Sequence, residues 1–266
     1  IAEEVLPATE PVLSGRILLV EDVIVNQKVA VGLMAPLAVE IDIANNGEEA
    51  VEKYLNNQYD LILMDCQMPV MDGYDATKKI RAIENGSHVN IVAATANVLP
   101  ADIAECMAAG MDGYLSKPFD QKQLFAVLQE WMGGEAVNAE AIKTKQPLDQ
   151  HQSAVDFIML NKMRKDIGTA FSGLIPAFLV QADEMLNSLP SLISSGEYGE
   201  VERVAHSLKS SGLTVGAKPF SSIALQLEHE VRNEFSDDSL TIAATRLKTE
   251  YKQVKTILQE YQVKGE

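Results

Sequence analysis

The sequence predicts an α/β domain with a doubly wound, five-stranded parallel sheet, followed by an all-α helical bundle. Between Arg16 and Met132, short apolar runs of strand length alternate with amphipathic stretches of helical length, which is typical of consecutive βαβ units. After Ala154 no strand pattern remains, and apolar residues recur at helical spacing. At 266 residues the chain is longer than one average domain, so two domains are expected, each with its own core.

The first domain is predicted at residues 15–132 and contains five strands, each followed by a helix. The strands are predicted at residues 16–20, 39–44, 60–65, 90–95 and 113–116. The helices are predicted at residues 25–37, 47–57, 73–85, 100–109 and 120–132. The third helix should end near Gly86 and the fourth at Gly110, because glycine readily adopts the backbone conformation that closes a helix.

Two further segments read as linkers. Residues 1–14 are acidic and contain proline, and the sequence starts at Ile1 rather than at methionine, so we expect a piece of a longer protein here. Residues 133–153 lose all periodicity and are rich in Gly, Ala, Lys, Gln and Asp. As a flexible coil this interdomain linker would reach about 25 Å, which allows the two flanking domains to touch.

The second domain is predicted at residues 154–264 as a fold of the four-helix-bundle type. Apolar residues at helical spacing occur over 155–163, 171–189, 201–212 and 220–235. Pro190 should bend or end the second of these helices, since proline lacks a backbone N–H. A last helix starts near Asp237 and carries apolar residues at spacings of four and three from Leu240 to Tyr261. That seam suits an intermolecular coiled coil or packing within the bundle, and the neighbouring amphipathic helices favour the bundle.

The composition excludes several classes of function. The formal net charge is −16, and residues 1–134 carry 20 acidic against 8 basic side chains, a balance that repels the phosphates of nucleic acid. The sequence has neither a secretory signal nor an apolar run long enough to cross a bilayer. We therefore expect a cytoplasmic chain without direct membrane contact. In that reducing compartment Cys66 and Cys106 should be small, partly buried free thiols rather than a disulfide.

Chemically active side chains stand at the ends of four predicted strands. Asp65 ends the third strand, Glu21 and Asp22 follow the first, Thr95 ends the fourth, and Lys117 follows the fifth. The carboxyl ends of parallel strands open on one crevice, so three acids, a hydroxyl and an ammonium should converge there. Clustered carboxylates repel one another, and a hard divalent cation with oxygen ligands, Mg²⁺ above all, relieves that repulsion. An aspartate in this position is also well placed to act as a nucleophile.

The apolar run before Asp65, the Met-Pro and Asp-Gly pairs at 68–69 and 72–73, and the pair Lys117-Pro118 resemble the receiver domain of two-component signalling. That resemblance implies a flavodoxin-like fold in which Asp65 accepts a phosphoryl group. It also implies that the Lys117-Pro118 peptide bond is cis, which only proline tolerates at low cost.

The same resemblance assigns the other residues of the site. It implies a Mg²⁺ site formed by the carboxylates of Glu21, Asp22 and Asp65 and the backbone carbonyl of Gln67. Lys117 would help to neutralise the phosphoryl oxygens. Thr95 and Tyr114 match the switch pair of the family, in which the hydroxyl bonds the phosphoryl group and the aromatic ring follows it inward. Phosphorylation would thereby shift the population toward the active state.

In the helical domain, His206 stands out among the four histidines. It points away from the apolar stripe of its helix, so we expect it to be exposed. Lys209 and Ser210 lie three and four residues later and should share its face. The stretch 205–217 resembles the phosphoacceptor motif of histidine phosphotransfer (HPt) domains, with Ser210 where glycine is common. By that resemblance His206 is the phosphoacceptor, with Lys209 beside it.

Together the two resemblances imply a phosphorelay. Asp65 would accept a phosphoryl group from a kinase histidine and pass it to His206, which would donate it to a response regulator. The domain order is similar to the carboxyl-terminal part of hybrid sensor histidine kinases, so the expected partners are a kinase core in the same parent chain and a downstream response regulator. The parent could be anchored in the inner membrane. This chain shows no glycine-rich ATP-binding segment, so we expect no use of ATP by it alone.

Other functions stay open at this point. The chain could be a stand-alone receiver-HPt phosphotransfer protein, or a scaffold that uses the fold only for binding. A phosphatase of the haloacid dehalogenase type also uses a strand-end aspartate, but it needs a second aspartate two residues later, where Gln67 stands.

Overall fold

Five parallel strands, each followed by a helix, form the first half of the molecule. The computed structural model describes residues 13–96, 100–133, 153–233 and 235–264. The strands are β1 (Ser14–Val20), β2 (Ala38–Ala44), β3 (Leu61–Asp65), β4 (Asn90–Thr95) and β5 (Gly113–Ser116). The helices are α1 (Ile24–Met34), α2 (Gly47–Asn56), α3 (Gly73–Ile83), α4 (Pro100–Ala109) and α5 (Gln121–Met132). The predicted segments 1–14 and 133–153 lie almost entirely outside the described residues.

The predicted strands agree with the structure to within two residues. The largest difference among the helices is α1, which ends at Met34 rather than at residue 37. Pro36 explains the difference, because proline has no backbone N–H to donate to the helical ladder.

The sheet has the strand order β2-β1-β3-β4-β5, with every pair parallel. Side chains alternate between its two faces. Leu19 and Leu63 join the core cluster beneath α1 and α5, whereas Val20 and Met64 join the cluster beneath α2, α3 and α4. Helices thus cover both faces, as the doubly wound prediction required, and the carboxyl ends of β1 and β3 lie side by side.

The loop after β3 is held close to the strand by a glycine. Asp72 caps α3 by accepting a hydrogen bond from the backbone N–H of Asp75 at 2.8 Å. A Cβ atom on Gly73 would lie 2.0 Å from the carbonyl oxygen of Asp65, so no larger residue fits there. The backbone of Gly73 therefore lies directly against the backbone of Asp65, and its N–H donates a hydrogen bond of 3.0 Å to the carbonyl of Cys66.

The second half of the structure is helical. It contains α6 (Phe157–Ile167), a short 3₁₀ helix (Gly168–Gly173), α7 (Leu174–Ser195), α8 (Tyr198–Thr214), α9 (Lys218–Arg232) and α10 (Asp237–Lys264). Pro190 lies within α7 and does not end it; of the two expected effects of the proline, bending of the helix stays a prediction. Buried Leu186, Leu189 and Ile193 anchor the helix on both sides of the proline, and α7 ends instead at Gly196, whose φ is +76°.

The long final helix packs within the bundle, as the sequence favoured. Its apolar seam is buried against α7 and α9, with Leu240, Leu247, Val254 and Leu258 all fully buried. A hydrogen bond of 2.9 Å from the Tyr251 hydroxyl to the carbonyl of Leu179 adds a polar tie to α7.

Helix α1 connects the two halves. It contacts α6, α7 and α8 in addition to the sheet, and the core cluster beneath it continues into the helical bundle without a break. The contact is close at Gly32, where an added Cβ would lie 2.7 Å from the Cβ of Ile167. The helical domain is therefore seated directly on the receiver-like domain through α1.

Two expectations about the chain as a whole can be compared with the structure. Cys66 and Cys106 are free and buried, with their sulfur atoms 3.6 Å apart. Within the described residues, no helix combines the length and apolar character needed to cross a membrane.

Candidate functional site

Three carboxylates meet where β1 and β3 end. Asp65 is the last residue of β3, all of which is buried, and Glu21 and Asp22 follow β1 directly. One carboxylate oxygen from each residue lies within 4.8 Å of the others. Glu21 and Asp65 are each only 2% exposed, so the crevice is largely shielded from water. The predicted convergence of the three acids is thus present in the structure.

Lys117 supplies the opposing charge. Its ammonium nitrogen lies 2.6 Å from Asp65 Oδ2 and also donates to Glu21 Oε2. Although burial favours the neutral amine, the carboxylates of Asp65 and Glu21 raise the pKa of Lys117 above its usual range. The lysine is therefore a permanent cation, and the peptide bond that follows it, to Pro118, is cis as expected.

One lysine does not balance three acids. Burial, with repulsion from neighbouring carboxylates, raises the pKa of Glu21 to about 8 and the pKa of Asp22 to about 7. Such shifts mean that the crevice disfavours its own negative charge. A hard divalent cation would remove this penalty, and the donors are the carboxylate oxygens that Mg²⁺ prefers. The residues present therefore fit a Mg²⁺ ion.

The remaining residues predicted for this site lie around the cluster. Thr95 is buried at the end of β4, and its carbonyl accepts a hydrogen bond of 2.7 Å from the backbone N–H of Lys117. Tyr114 on β5 is 38% exposed, so its ring lies at the surface. The backbone N–H of Gln67 faces Asp65 Oδ1 at 3.3 Å. The ligand role of the Gln67 carbonyl and the switch role of Thr95 and Tyr114 stay predictions.

His206 lies on α8, and its ring is held at Nδ1. Glu228 Oε1 lies 3.0 Å from Nδ1, and Lys209 Nζ lies 3.3 Å from it. Because Glu228 can only accept and is the nearer partner, we assign the ring proton to Nδ1. Lys209 is satisfied by Glu228 Oε2 at 2.6 Å. This tautomer leaves a lone pair on Nε2, which is the requirement for a nucleophile.

The sequence-based expectation that His206 is exposed was wrong. The residue is 8% exposed, and Ser207, Ser210 and Ser211 around it are buried as well. The polar face of α8 was predicted to meet water, but Ser207 and Ser210 contact the first domain and His206 lies against Glu228 of α9. A prediction from one helix at a time cannot anticipate those contacts, which involve other segments of the chain.

Glu228 is a site residue that the sequence analysis missed. It is 2% exposed and bonds His206, Lys209 and Arg232, the last at 3.0 Å. Burial alone would favour the protonated acid, but the hydrogen bond from His206 and the nearby positive charges lower the pKa of Glu228 to about 2. A signal was available, because Glu228 stands at the spacing of the buried residues of α9, four residues after Ala224 and three before Val231.

A direct contact joins the histidine helix to the acid cluster. The hydroxyl of Ser207, the residue after His206, lies 3.2 Å from Asp22 Oδ2 and donates to it. The segment that carries the histidine therefore lies beside the crevice that holds Asp65. This contact joins segments that are 185 residues apart in sequence.

Two family models match the chain, and they match separate halves of it. The response regulator receiver domain matches residues 17–129. The Hpt domain matches residues 173–258. The first match covers the parallel sheet and its helices, and the second covers most of the helical bundle.

Curated relatives are histidine kinases. Probable histidine kinase 4 of Oryza sativa subsp. japonica is 39% identical over 142 residues, covering 46% of this chain and 14% of that protein. Hybrid signal transduction histidine kinase B of Dictyostelium discoideum is 46% identical over 114 residues, covering 39% of this chain and 6% of that protein. The chain thus spans a small fraction of the length of these relatives.

Similar solved structures include the receiver domain of sensor histidine kinase PA1611 from Pseudomonas aeruginosa PAO1, described with a magnesium ion in its active site cleft. It is 47% identical and covers 45% of this chain and 98% of its own, with a TM-score of 0.43. A complex of the Saccharomyces cerevisiae phosphotransfer protein Ypd1 with the Ssk1 receiver domain is 28% identical and covers 49% and 97%, with a TM-score of 0.44. On the two family matches, residues 17–129 form a receiver domain and residues 173–258 form an Hpt domain of two-component signalling.

Proposed function

We propose that Asp65 and His206 are consecutive stations of the relay. Asp65 receives a phosphoryl group from a kinase histidine and passes it to His206, and His206 donates it to an aspartate on a separate response regulator. The observation that carries this proposal is the hydrogen bond between Ser207 and Asp22, because it seats the histidine helix on the crevice that contains Asp65.

The first step uses the charge arrangement of the crevice. A carboxylate oxygen of Asp65 attacks the phosphorus of a phosphohistidine, a P–O bond forms, and the P–N bond breaks with its electron pair returning to the imidazole. Lys117, held 2.6 Å from Asp65, lies where it can neutralise phosphoryl oxygens. A Mg²⁺ ion held by Glu21, Asp22 and Asp65 would supply further positive charge there.

The second step uses the histidine pair. Nε2 of His206 attacks the phosphorus on Asp65, a P–N bond forms, and the P–O bond breaks to restore the carboxylate. The imidazole gains positive charge in this step, and the Glu228 carboxylate at Nδ1 stabilises that charge. Because both groups already belong to one seated assembly, the transfer is effectively unimolecular, which removes much of the entropic cost.

The surroundings follow from this role. We infer a histidine kinase core in the same parent chain as the phosphodonor, a response regulator as the acceptor, Mg²⁺ as the cofactor and the cytoplasm as the compartment. The chain would use no ATP itself.

Labelling with radioactive acetyl phosphate and Mg²⁺ tests the proposal in the full chain. An acyl phosphate on Asp65 is labile to base, whereas phosphohistidine is stable to base and labile to acid, so the two products can be separated. The native chain should form both, His206→Gln only the first, and Asp65→Asn neither. His229→Gln, which changes an exposed histidine of the same domain, is the matched control and should behave as the native chain.

The same labelling distinguishes the proposal from a scaffold, and assays with other kinases and with a phosphomonoester separate the remaining rival functions. A scaffold would show no labelling at either residue. A stand-alone phosphotransfer protein would label both but would accept phosphate from kinases encoded on other chains. Turnover of a generic phosphomonoester would instead indicate a phosphatase.

A further inference from the structure

The side chain of Asn26 on α1 forms hydrogen bonds with both domains. It lies in the first turn of α1 and is 8% exposed. Its amide nitrogen donates to Glu21 Oε1 at 3.0 Å and to Ser210 Oγ at 2.9 Å. Its amide oxygen accepts from Thr214 Oγ1 at 2.7 Å. Asn26 thus makes two hydrogen bonds to α8, one through its amide nitrogen and one through its amide oxygen.

We propose that Asn26 is a positioning residue for phosphoryl transfer between Asp65 and His206. It links a carboxylate of the acid cluster to the helix that carries the histidine. This inference rests on the proposed function and adds to it the residue that sets the alignment of the two reacting groups.

The spacing on α8 explains how one amide can align the histidine. His206, Ser210 and Thr214 are four residues apart, so they lie along one face of the helix, with a rise of about 6 Å between successive members. Holding Ser210 and Thr214 on Asn26 fixes the rotation of α8 about its axis. It also fixes the position of α8 along that axis. His206, one turn before Ser210, then has a fixed position along α8 relative to the crevice.

The chemistry at this position is selective for an amide. Glu21 and Ser210 accept hydrogen bonds from Asn26, whereas Thr214 donates to it. Only a side chain with both an N–H₂ group and a carbonyl oxygen meets this demand. A carboxylate of the same shape would have no proton to donate and would face Glu21 with like charge.

A capping role at the start of α1 does not explain the asparagine at position 26. Val23, not Asn26, occupies the N-cap of α1. A buried amide without these partners would be destabilising, so the geometry points to a contact maintained for alignment between domains.

A double-mutant cycle on the full chain tests the role. The rate of phosphoryl transfer from Asp65 to His206 is measured in a single turnover for native chain, Asn26→Ala, Thr214→Val and the double variant. Each single change should slow transfer about 3- to 10-fold, the value of one to two hydrogen bonds. The double variant should be little slower than the slower single variant, because the same contact is already lost. Asn56→Ala and Thr245→Val, both at exposed helical positions, are the matched controls.

Two further readouts separate alignment from general stability. Labelling of Asp65 by acetyl phosphate should be unchanged in Thr214→Val, since that residue lies in the other domain. In the unphosphorylated chain, the side-chain amide protons of Asn26 should shift in the NMR spectrum of Thr214→Val and stay in place in Thr245→Val. If Asn26→Ala does not fold, the comparison of Thr214→Val with Ser210→Ala still tests the contact from the side of α8.

The outcomes distinguish a failure of the proposed function from a failure of the role of Asn26. If the native chain labels Asp65 and never His206, the proposed function fails and this inference falls with it. If the native chain transfers normally but the two single effects multiply in the double variant, or neither change slows transfer, only the role of Asn26 is wrong.

Discussion

Replacing Glu228 by Gln should destabilise the helical domain by an amount that depends on pH in a defined direction. The carboxylate receives hydrogen bonds from His206 and Lys209 and forms an ion pair with Arg232 while it is 2% exposed. Its pKa is lowered from 4.5 to about 2. At 1.36 kcal/mol per pKa unit, the ionised form contributes up to about 3 kcal/mol to the free energy of unfolding at neutral pH.

The sign follows from the direction of the shift. A carboxyl with a depressed pKa stabilises the folded state fully above its unfolded pKa and loses that contribution as the pH falls toward the folded pKa. The contribution of the Glu228 ionisation to the difference in stability between the native chain and Glu228→Gln should therefore be constant above about pH 5. It should shrink to about 2 kcal/mol near pH 3.5.

Urea unfolding followed by far-UV circular dichroism at several pH values measures this difference. Glu184→Gln, a change at an exposed position of α7, is the control and should alter stability by less than about 0.5 kcal/mol. A difference for Glu228→Gln that matches the control, or one that grows as the pH falls, would refute the assignment of Glu228 as the charged partner of His206.

The remaining predictions concern the crevice and the contact between the domains. Asp65→Asn should abolish the base-labile label from acetyl phosphate, and full labelling of that variant would contradict the assigned nucleophile. Asp22→Asn should lower Mg²⁺ affinity by at least tenfold in calorimetry, because a charged oxygen ligand is lost. The same change should raise the melting temperature in EDTA, because repulsion among the carboxylates falls. Unchanged values for both would argue against the acid cluster. Gly32→Leu should separate the domains, since an added Cβ lies 2.7 Å from the Cβ of Ile167. Amide hydrogen exchange around His206 should then accelerate. Unaltered exchange would show that α1 does not hold the two domains together.

Much of the fold could be predicted from local patterns. Strand-length apolar runs and helical spacing located β1 to β5 and the bundle, because each element buries a face that is visible in its own sequence. The acid cluster was also predictable, since Glu21, Asp22 and Asp65 end adjacent parallel strands and such ends share one crevice.

The histidine site was less accessible to that reasoning. His206 was identified, but its burial was not, because its ring lies against Glu228 of α9 and the serines beside it contact the first domain, neither of which the pattern of α8 shows. Asn26 escaped because its partners Ser210 and Thr214 lie in the other domain, whereas Glu228 fits the buried spacing of α9 and was overlooked. A polar residue in an apolar stretch can be recognised as unusual, but its own stretch of sequence does not show the partners that join it to another helix, which are Ser210 and Thr214 for Asn26 and His206 for Glu228.

The seating of α8 against the first domain limits which proteins can reach the histidine at one time. Ser207 and Thr214, which flank His206 on α8, contact the crevice and α1. Under the proposed relay, a response regulator that takes phosphate from His206 would need the same face, so the crevice that donates the phosphoryl group and the regulator that accepts it would compete for one surface. Output would then depend on how often the halves of this chain separate, and the lifetime of the closed form would set an upper limit on the speed of signalling.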